Sequence, residues 1–209
     1  MKIGILSESK VDEAAYKILV ESVLGQPVDL FRDYRDRGGW VTAKNMVQRI
    51  MRQLHFAGAD GFVFIGDSDS TPPHTREHES HADGDPKCRL CQIKKLVAKT
   101  LADLPPRAGR PPLKIAVGMA TPVIEAWLLS GDDPHCTEAR FRDDHSNGRL
   151  TRQTRLDLKR QKYGSLQASS DIRMQRTLNN AHRIARDIET LEQRFQFGFG
   201  HLRKSLAEW

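Results

Sequence analysis

Gly61-Phe62-Val63-Phe64-Ile65-Gly66-Asp67-Ser68-Asp69 decides how this chain is read. Four large apolar residues in succession, closed off by glycines, leave no polar side to turn toward water. Such a run is the mark of a strand buried on both faces of a parallel sheet. It ends on two carboxylates. In open parallel sheets ligands gather beyond the carboxyl ends of the strands, so Asp67 and Asp69 stand where chemistry is expected.

Toward the N-terminus, Lys2-Ile3-Gly4-Ile5-Leu6 reads as a first buried strand rather than a signal peptide, and Glu8 lies just past it. Ser9 with Asp12 makes an N-cap and capping box. Ala15, Ile18, Leu19 and Val23 then repeat at helical spacing, with Gly25 at the C-terminal cap. Residues 27–34 read as a second strand and 35–40, with Gly38-Gly39, as a loop. Ala43, Met46, Val47, Ile50 and Leu54 form the apolar face of a helix that Thr42 caps and Gly58 ends.

Toward the C-terminus, residues 71–87 are polar and His-rich, a loop or insertion. A helix over 89–101 follows. A linker with four prolines, a strand over 113–119 and a helix over 122–129 with Pro122 in its first turn come next. Strands alternate with helices through residue 130, which predicts an α/β three-layer sandwich around a mostly parallel sheet. Residues 132–150 read as loop. Met174, Leu178, Ala181, Ala185, Ile188, Leu191 and Phe195 step by three or four, predicting one long amphipathic helix over 171–195. The expected division is an α/β domain over 1–150, with an insertion at about 70–91, and a basic helical extension over 151–209 packed on it.

The composition narrows the function classes. With 38% hydrophobic and 29% charged residues and no apolar run of membrane-spanning length, the chain reads as globular, with no membrane partner. Three cysteines are too few for a disulfide framework, so a reducing cytoplasm is expected. The net charge of +6 is uneven: residues 149–209 hold 13 Lys/Arg against 6 Asp/Glu, while residues 1–148 hold 20 against 21. A basic third on a neutral body attracts polyanions such as nucleic acid.

Carboxylates at neighbouring strand ends can share a cation. Mg²⁺ and Mn²⁺ take hard oxygen ligands and keep several waters, so Glu8, Asp67 and Asp69 form a sufficient set. Such an ion activates water and steadies a phosphoryl transition state. Glu8-Ser9-Lys10-Val11-Asp12 resembles the Glu-Gly-x-Thr-Asp/Glu segment of TOPRIM domains. Phe64-Ile65-Gly66-Asp67-Ser68-Asp69 resembles their strand-end Asp-x-Asp. Val123-Ile124-Glu125-Ala126-Trp127-Leu128-Leu129 and the closing stretch from Phe195 to Trp209 resemble the DUF4276 family, TOPRIM-like proteins akin to the nuclease domains of the OLD family.

The resemblance covers most of the chain and implies a TOPRIM/Rossmann-like fold and a metal-dependent endonuclease or nickase. It implies Glu8 as metal ligand and general base, Asp67 and Asp69 as ligands, and Glu125 as a further member of the site. It implies as well an ABC/OLD-type ATPase partner and a role in bacterial anti-phage defence. Asp12 matches the second acid of the motif and also serves as a helix cap. Ser9 stands where the motif has glycine, and Val11 where it has threonine.

Two further constellations stand out. His74, His78, His81, Cys88 and Cys91 offer nitrogen and sulfur ligands, with a Cys-x-x-Cys pair suited to a structural zinc. Arg149, Arg152, Arg155, Lys159, Arg160 and Lys162 form a basic stretch in which Arg160 and Lys162 are expected to contact a nucleic-acid backbone, DNA before RNA. Competing readings stay open. Asp67-Ser68-Asp69-Ser70-Thr71 fits the motif of haloacid-dehalogenase-type phosphatases with Asp67 as nucleophile. A non-catalytic binding subunit fits the departures at Ser9 and Val11, and homo-oligomerisation is compatible with all three readings.

Overall fold

Strands β1 (Lys2–Leu6), β2 (Asp29–Leu30), β3 (Gly61–Asp67) and β4 (Lys114–Ala120) form one sheet in the order β2-β1-β3-β4, every pairing parallel. The structure is a computed structural model that describes residues 1–31, 38–80 and 84–209. From β1 the chain crosses through α1 (Lys10–Leu24) to β2, then returns through α2 (Gly39–Phe56) past β1 to β3. This reversal opens a crevice between the carboxyl ends of β1 and β3, the topological switch point of an open sheet.

Side chains alternate across the strands and feed two cores. Ile3, Ile5, Val63, Ile65, Ala116 and Ala120 face α1. Leu6, Phe62, Phe64, Val117 and Met119 face α2 and α4 (Arg89–Ala102). With both faces covered, the strands need no polar side, and this is why Phe62 to Ile65 is apolar without a break. The α/β class and parallel sheet expected from the sequence are present.

The layer on the α1 face is completed by helices far along the chain. After α5 (Ile124–Leu129), α6 (Glu138–Ser146) and α7 (Arg152–Tyr163) come α8 (Ser170–Ala185), α9 (Ile188–Arg194) and α10 (Phe199–Ala207). Ala181, Ile184, Leu191, Phe195, Phe199 and Leu202 join the same core as Ile3 and Ile5. Trp127 is its fully buried centre, with ring centroids 6.0 Å from Tyr16, 6.3 Å from Phe195 and 5.3 Å from Phe199, all edge-on. Helix α10 lies directly on β4 because Gly118 offers no side chain: a Cβ there would sit 3.0 Å from that of Leu202.

The structure differs from the sequence reading in several places, among them the start of α2 at Gly39, ahead of Thr42, and of α5 at Ile124, which leaves Pro122 outside the helix. The single helix expected over 171–195 is two, α8 and α9. Asp187 interrupts it and caps α9, its Oδ1 accepting the Thr190 amide at 3.3 Å. The apolar period survives the break because both halves pack on one core. Residues 132–150 hold α6, capped by Thr137, whose polar composition hides a buried Phe141 and a buried Glu138 that accepts the Phe197 amide at 2.7 Å. Residues 71–87 contain a short helix α3 (Arg76–Ser80). In the expected strand over 27–34, β2 spans Asp29–Leu30, and residues 32–37 lie outside the described residues. No helix among the described residues is long and apolar enough to cross a membrane.

Trp127→Ala removes the centre of the α1-side core and is expected to cost about 3–5 kcal/mol, read as a lowered urea midpoint. Val41→Ala, at a site 67% exposed, is expected to stay within about 0.5 kcal/mol of the wild type.

Candidate active site

The register of β1 against β3 sets the site. Leu6 pairs with Phe64, so the residues that follow each strand emerge side by side at the switch point. Glu8 Oε1 accepts the Asp67 amide at 3.1 Å. Asp67 Oδ1 in turn accepts the amide of Ile124, the first residue of α5, at 2.9 Å. The Ser68 and Asp69 amides donate to the carbonyls of Ala120 and Pro122, each at 2.8 Å, and stitch the loop after β3 to the connection that follows β4. Asp69 adopts the left-handed conformation, φ 53°, which few non-glycine residues take.

Two more acids close in on this group. Asp12 stands on α1, where Ser9 accepts its amide at 3.2 Å, the cap that the sequence reading expects. Glu125 on α5 is 2% exposed, and its Oε2 has no hydrogen-bond partner. Burial pushes the Asp67 carboxyl well above the usual carboxylate range, and the charges of Asp12, Glu125 and Glu8 add to the rise. Burial likewise pushes Asp12 up to about 6, with Glu125 and Glu8 contributing. Glu8 is raised by burial against the opposing pull of the Asp67 amide and Arg89. The cleft carries more acid than its own cations balance.

Those cations come from elements distant in sequence. Arg89, the first residue of α4, sets its Nη1 2.7 Å from Asp69 Oδ2 and 3.8 Å from Glu8 Oε1, and donates to the Asp67 carbonyl at 2.7 Å. Its guanidinium lies 4.6 Å over the Trp40 ring. Arg155 on α7 pairs with Asp69 Oδ1. Lys159, one turn further along α7, favours the charged forms of Glu8, Asp12 and Asp67.

Glu8, Asp67, Asp69 and Glu125 are thus brought to one end of the sheet. Within this group Arg89 lies between Glu8 and Asp69, and Asp67 turns its Oδ1 to the α5 amide. In the basic stretch, Arg160 stays at the surface, paired with Asp157 at 2.9 Å, whereas Lys162 is buried and donates to the Arg176 carbonyl at 3.0 Å, away from any surface a nucleic acid could reach. The helical turn decides this. Arg155 and Lys159 share one face of α7, from which Arg160 is rotated away. Arg89, Arg155, Lys159 and Trp40 went unassigned in the sequence, and only the i, i+4 spacing of the α7 pair could have pointed to any of them.

His74, His78, Cys88 and Cys91 converge separately, with one donor atom from each within 4.8 Å of all the others, a group able to hold a metal ion. It is the one His/Cys/Asp/Glu group of this closeness among the described residues. His81 lies outside the described residues. All three cysteines are free thiols.

The fold and site together define a parallel α/β protein with an acid-rich switch point and a neighbouring His/Cys cluster. Comparison of the chain with protein-family models, with curated proteins and with solved structures finds no match.

The raised acids set the direction in which stability changes with pH. Asp12 binds its proton more tightly folded than unfolded, so its ionisation opposes folding increasingly as pH rises from 3.8 through about 6. Asp12→Asn in metal-free protein is therefore expected to stabilise more at pH 8 than at pH 5, by on the order of 1 kcal/mol in parallel denaturant titrations. An equal effect at both pH values would contradict the assigned environment.

Proposed function

We propose that the chain is a divalent-metal-dependent phosphodiesterase acting on nucleic acid, a TOPRIM-like endonuclease or nickase. The observation that carries this reading is the joining of Glu8 to the Asp67 amide at the switch point, close enough to Asp12 and Glu125 for their charges to raise Asp67, with Glu125 Oε2 buried and unpartnered. Protein interiors rarely leave a buried polar atom without a partner, and a carboxylate cluster that disfavours its own ionisation is relieved by a hard cation. Glu8, Asp67 and Glu125 would hold Mg²⁺ or Mn²⁺, with Asp69 turning to it from its arginine partners. Such an ion, when bound, supplies water activation and neutralises charge on a phosphoryl oxygen.

The remaining roles belong to the chain itself. Arg155 and Lys159 present positive charge from α7 at the rim of the acids, where a phosphate backbone enters. Arg89 is held by Trp40 on one side and carboxylates on the other, an orientation suited to a phosphoryl oxygen or leaving group. Asp12, on the first turn of α1 beside these acids, would serve as a proton-exchanging group at the cluster. The resemblance to TOPRIM-like proteins adds DNA as the expected polymer, an ABC-type ATPase as partner and anti-phage defence as the setting.

The test is nicking of supercoiled plasmid with Mn²⁺ or Mg²⁺. Wild type is expected to yield open circles, and Glu8→Ala and Asp67→Ala to yield none while remaining folded by circular dichroism. Arg155→Glu is expected to weaken DNA binding and flatten its salt dependence, while Arg160→Glu leaves both near wild type. Phosphate release from a small ester without nicking would replace this reading with a phosphatase built on Asp67. No calorimetric binding of Mn²⁺ to wild type would replace it with a non-catalytic binding subunit.

A further inference from the structure

We propose that His74 Nδ1, His78 Nδ1, Cys88 Sγ and Cys91 Sγ bind one structural zinc ion, and that this ion holds Arg89 in place between Glu8 and Asp69. The first observation is distance. His74 Nδ1 lies 3.6 Å from Cys88 Sγ and 3.5 Å from Cys91 Sγ, and His78 Nδ1 lies 3.8 Å from Cys91 Sγ. A tetrahedron built from Zn–S bonds of about 2.3 Å and Zn–N bonds of about 2.0–2.1 Å has nitrogen-to-sulfur edges of about 3.5–3.6 Å. These three edges match those of a zinc site, and one donor from each of the four residues lies within 4.8 Å of all the others. Two thiolates and two imidazoles are also a donor set that zinc favours over hard cations.

The second observation is the surroundings of the histidines. Outside the cluster, His74 Nε2 faces Glu79 Oε1 at 3.5 Å and His78 Nε2 faces Asp85 Oδ2 at 3.6 Å. Metal-bound histidines commonly turn their other ring nitrogen toward a carboxylate, which orients the ring and leaves the remaining nitrogen for the metal. Both histidines here are arranged this way, each with Nδ1 toward the thiols. Gly84, at φ 61°, passes so close to Cys91 that a Cβ there would lie 2.7 Å from its sulfur. The chain wraps the cluster where only glycine fits. His74, Cys88 and Cys91 are 4%, 1% and 6% exposed, the closed character of a structural site.

The consequence lies one residue away. Cys88 is the N-cap of α4 and makes no side-chain capping bond, and Arg89 is the first residue of the helix. Zinc bound to Cys88 and Cys91 would fix both ends of the first turn of α4 and join it to α3 and the segment around His74. Arg89, on that turn, would then reach Glu8, Asp69 and the Asp67 carbonyl from a rigid base. The zinc assignment stands apart from the nuclease reading, and the positioning of Arg89 needs only the cleft geometry described above.

Elemental analysis of the full chain, purified without added metal, tests the site. About one zinc per chain is expected, lost in Cys88→Ser/Cys91→Ser and kept in His81→Ala. Cobalt taken up in its place should give the visible bands of tetrahedral Cys-bound Co²⁺. Should the double variant fail to fold, chelation of wild type followed by hydrogen exchange serves instead, with protection lost across residues 74–80 and 84–92 and kept in α8 and α10. A reduced wild-type chain that holds no zinc and gives no cobalt bands, or a Cys88–Cys91 disulfide in protein purified without oxidant, overturns the site. Trp40 emission reads the second half, with Trp40→Phe as the blank. Zinc removal should shift it in wild type and leave it unmoved in zinc-loaded-then-chelated Arg89→Gln. An unshifted wild type would overturn the positioning of Arg89 while leaving the zinc site standing.

Discussion

The parallel pairing of β1 with β3 is the constraint on which the rest of the molecule depends. It sets Leu6 against Phe64, and so brings Glu8 to the amide of Asp67 across nearly sixty residues of sequence. A shift of one residue would send alternate side chains to the wrong core and separate the acids. The register is held because both faces of the sheet are buried: Ile3, Ile5, Val63 and Ile65 match one helical layer, and Leu6, Phe62 and Phe64 the other. Packing and site geometry thus follow from a single set of backbone hydrogen bonds.

At the end of that pairing the molecule gathers charge in a place that disfavours it. Asp12, Asp67 and Glu8 all hold their protons more tightly than they would in water, because burial removes solvation and neighbouring acids add to the rise: Glu125 and Glu8 for Asp12, those two and Asp12 for Asp67, and Asp69 for Glu8. Arg89 pairs with Asp69 and also draws on Glu8, Arg155 pairs with Asp69, and Lys159 acts on Glu8, Asp12 and Asp67. Uncompensated buried charge is costly, and it persists where a ligand or reaction calls for it. The His/Cys cluster lies on the other side of Arg89, so that one short helical turn joins two groups of unlike chemistry.

The C-terminal helices serve both the core and the cleft. Phe195, Phe199 and Leu202 close the core around Trp127, while α7 lends Arg155 to the acids. Their basic composition predicts a charged outer surface. Part of that charge is used internally instead: Lys162 donates to the Arg176 carbonyl, and Arg194 donates to the carbonyls of Ser130 and Asp133. Net charge is a property of composition, whereas its direction depends on which side of each helix meets a neighbour.

Local pattern was enough for the strands, for the parallel sheet and for the acids at its carboxyl end. An unbroken apolar run and a strand-end carboxylate are written in adjacent residues and need no partner to be recognised. The Ser9 cap and the Cys-x-x-Cys pair were legible for the same reason. Tertiary structure alone decided that Arg89 would stand between Glu8 and Asp69, that Arg155 rather than Arg160 would turn inward, and that Glu125 would be buried with an unpartnered oxygen. The break at Asp187 was hidden because two short helices on one core keep the apolar period of a single long one. These outcomes turn on the packing of helices remote in sequence, and one-dimensional spacing carries no record of which remote surfaces meet.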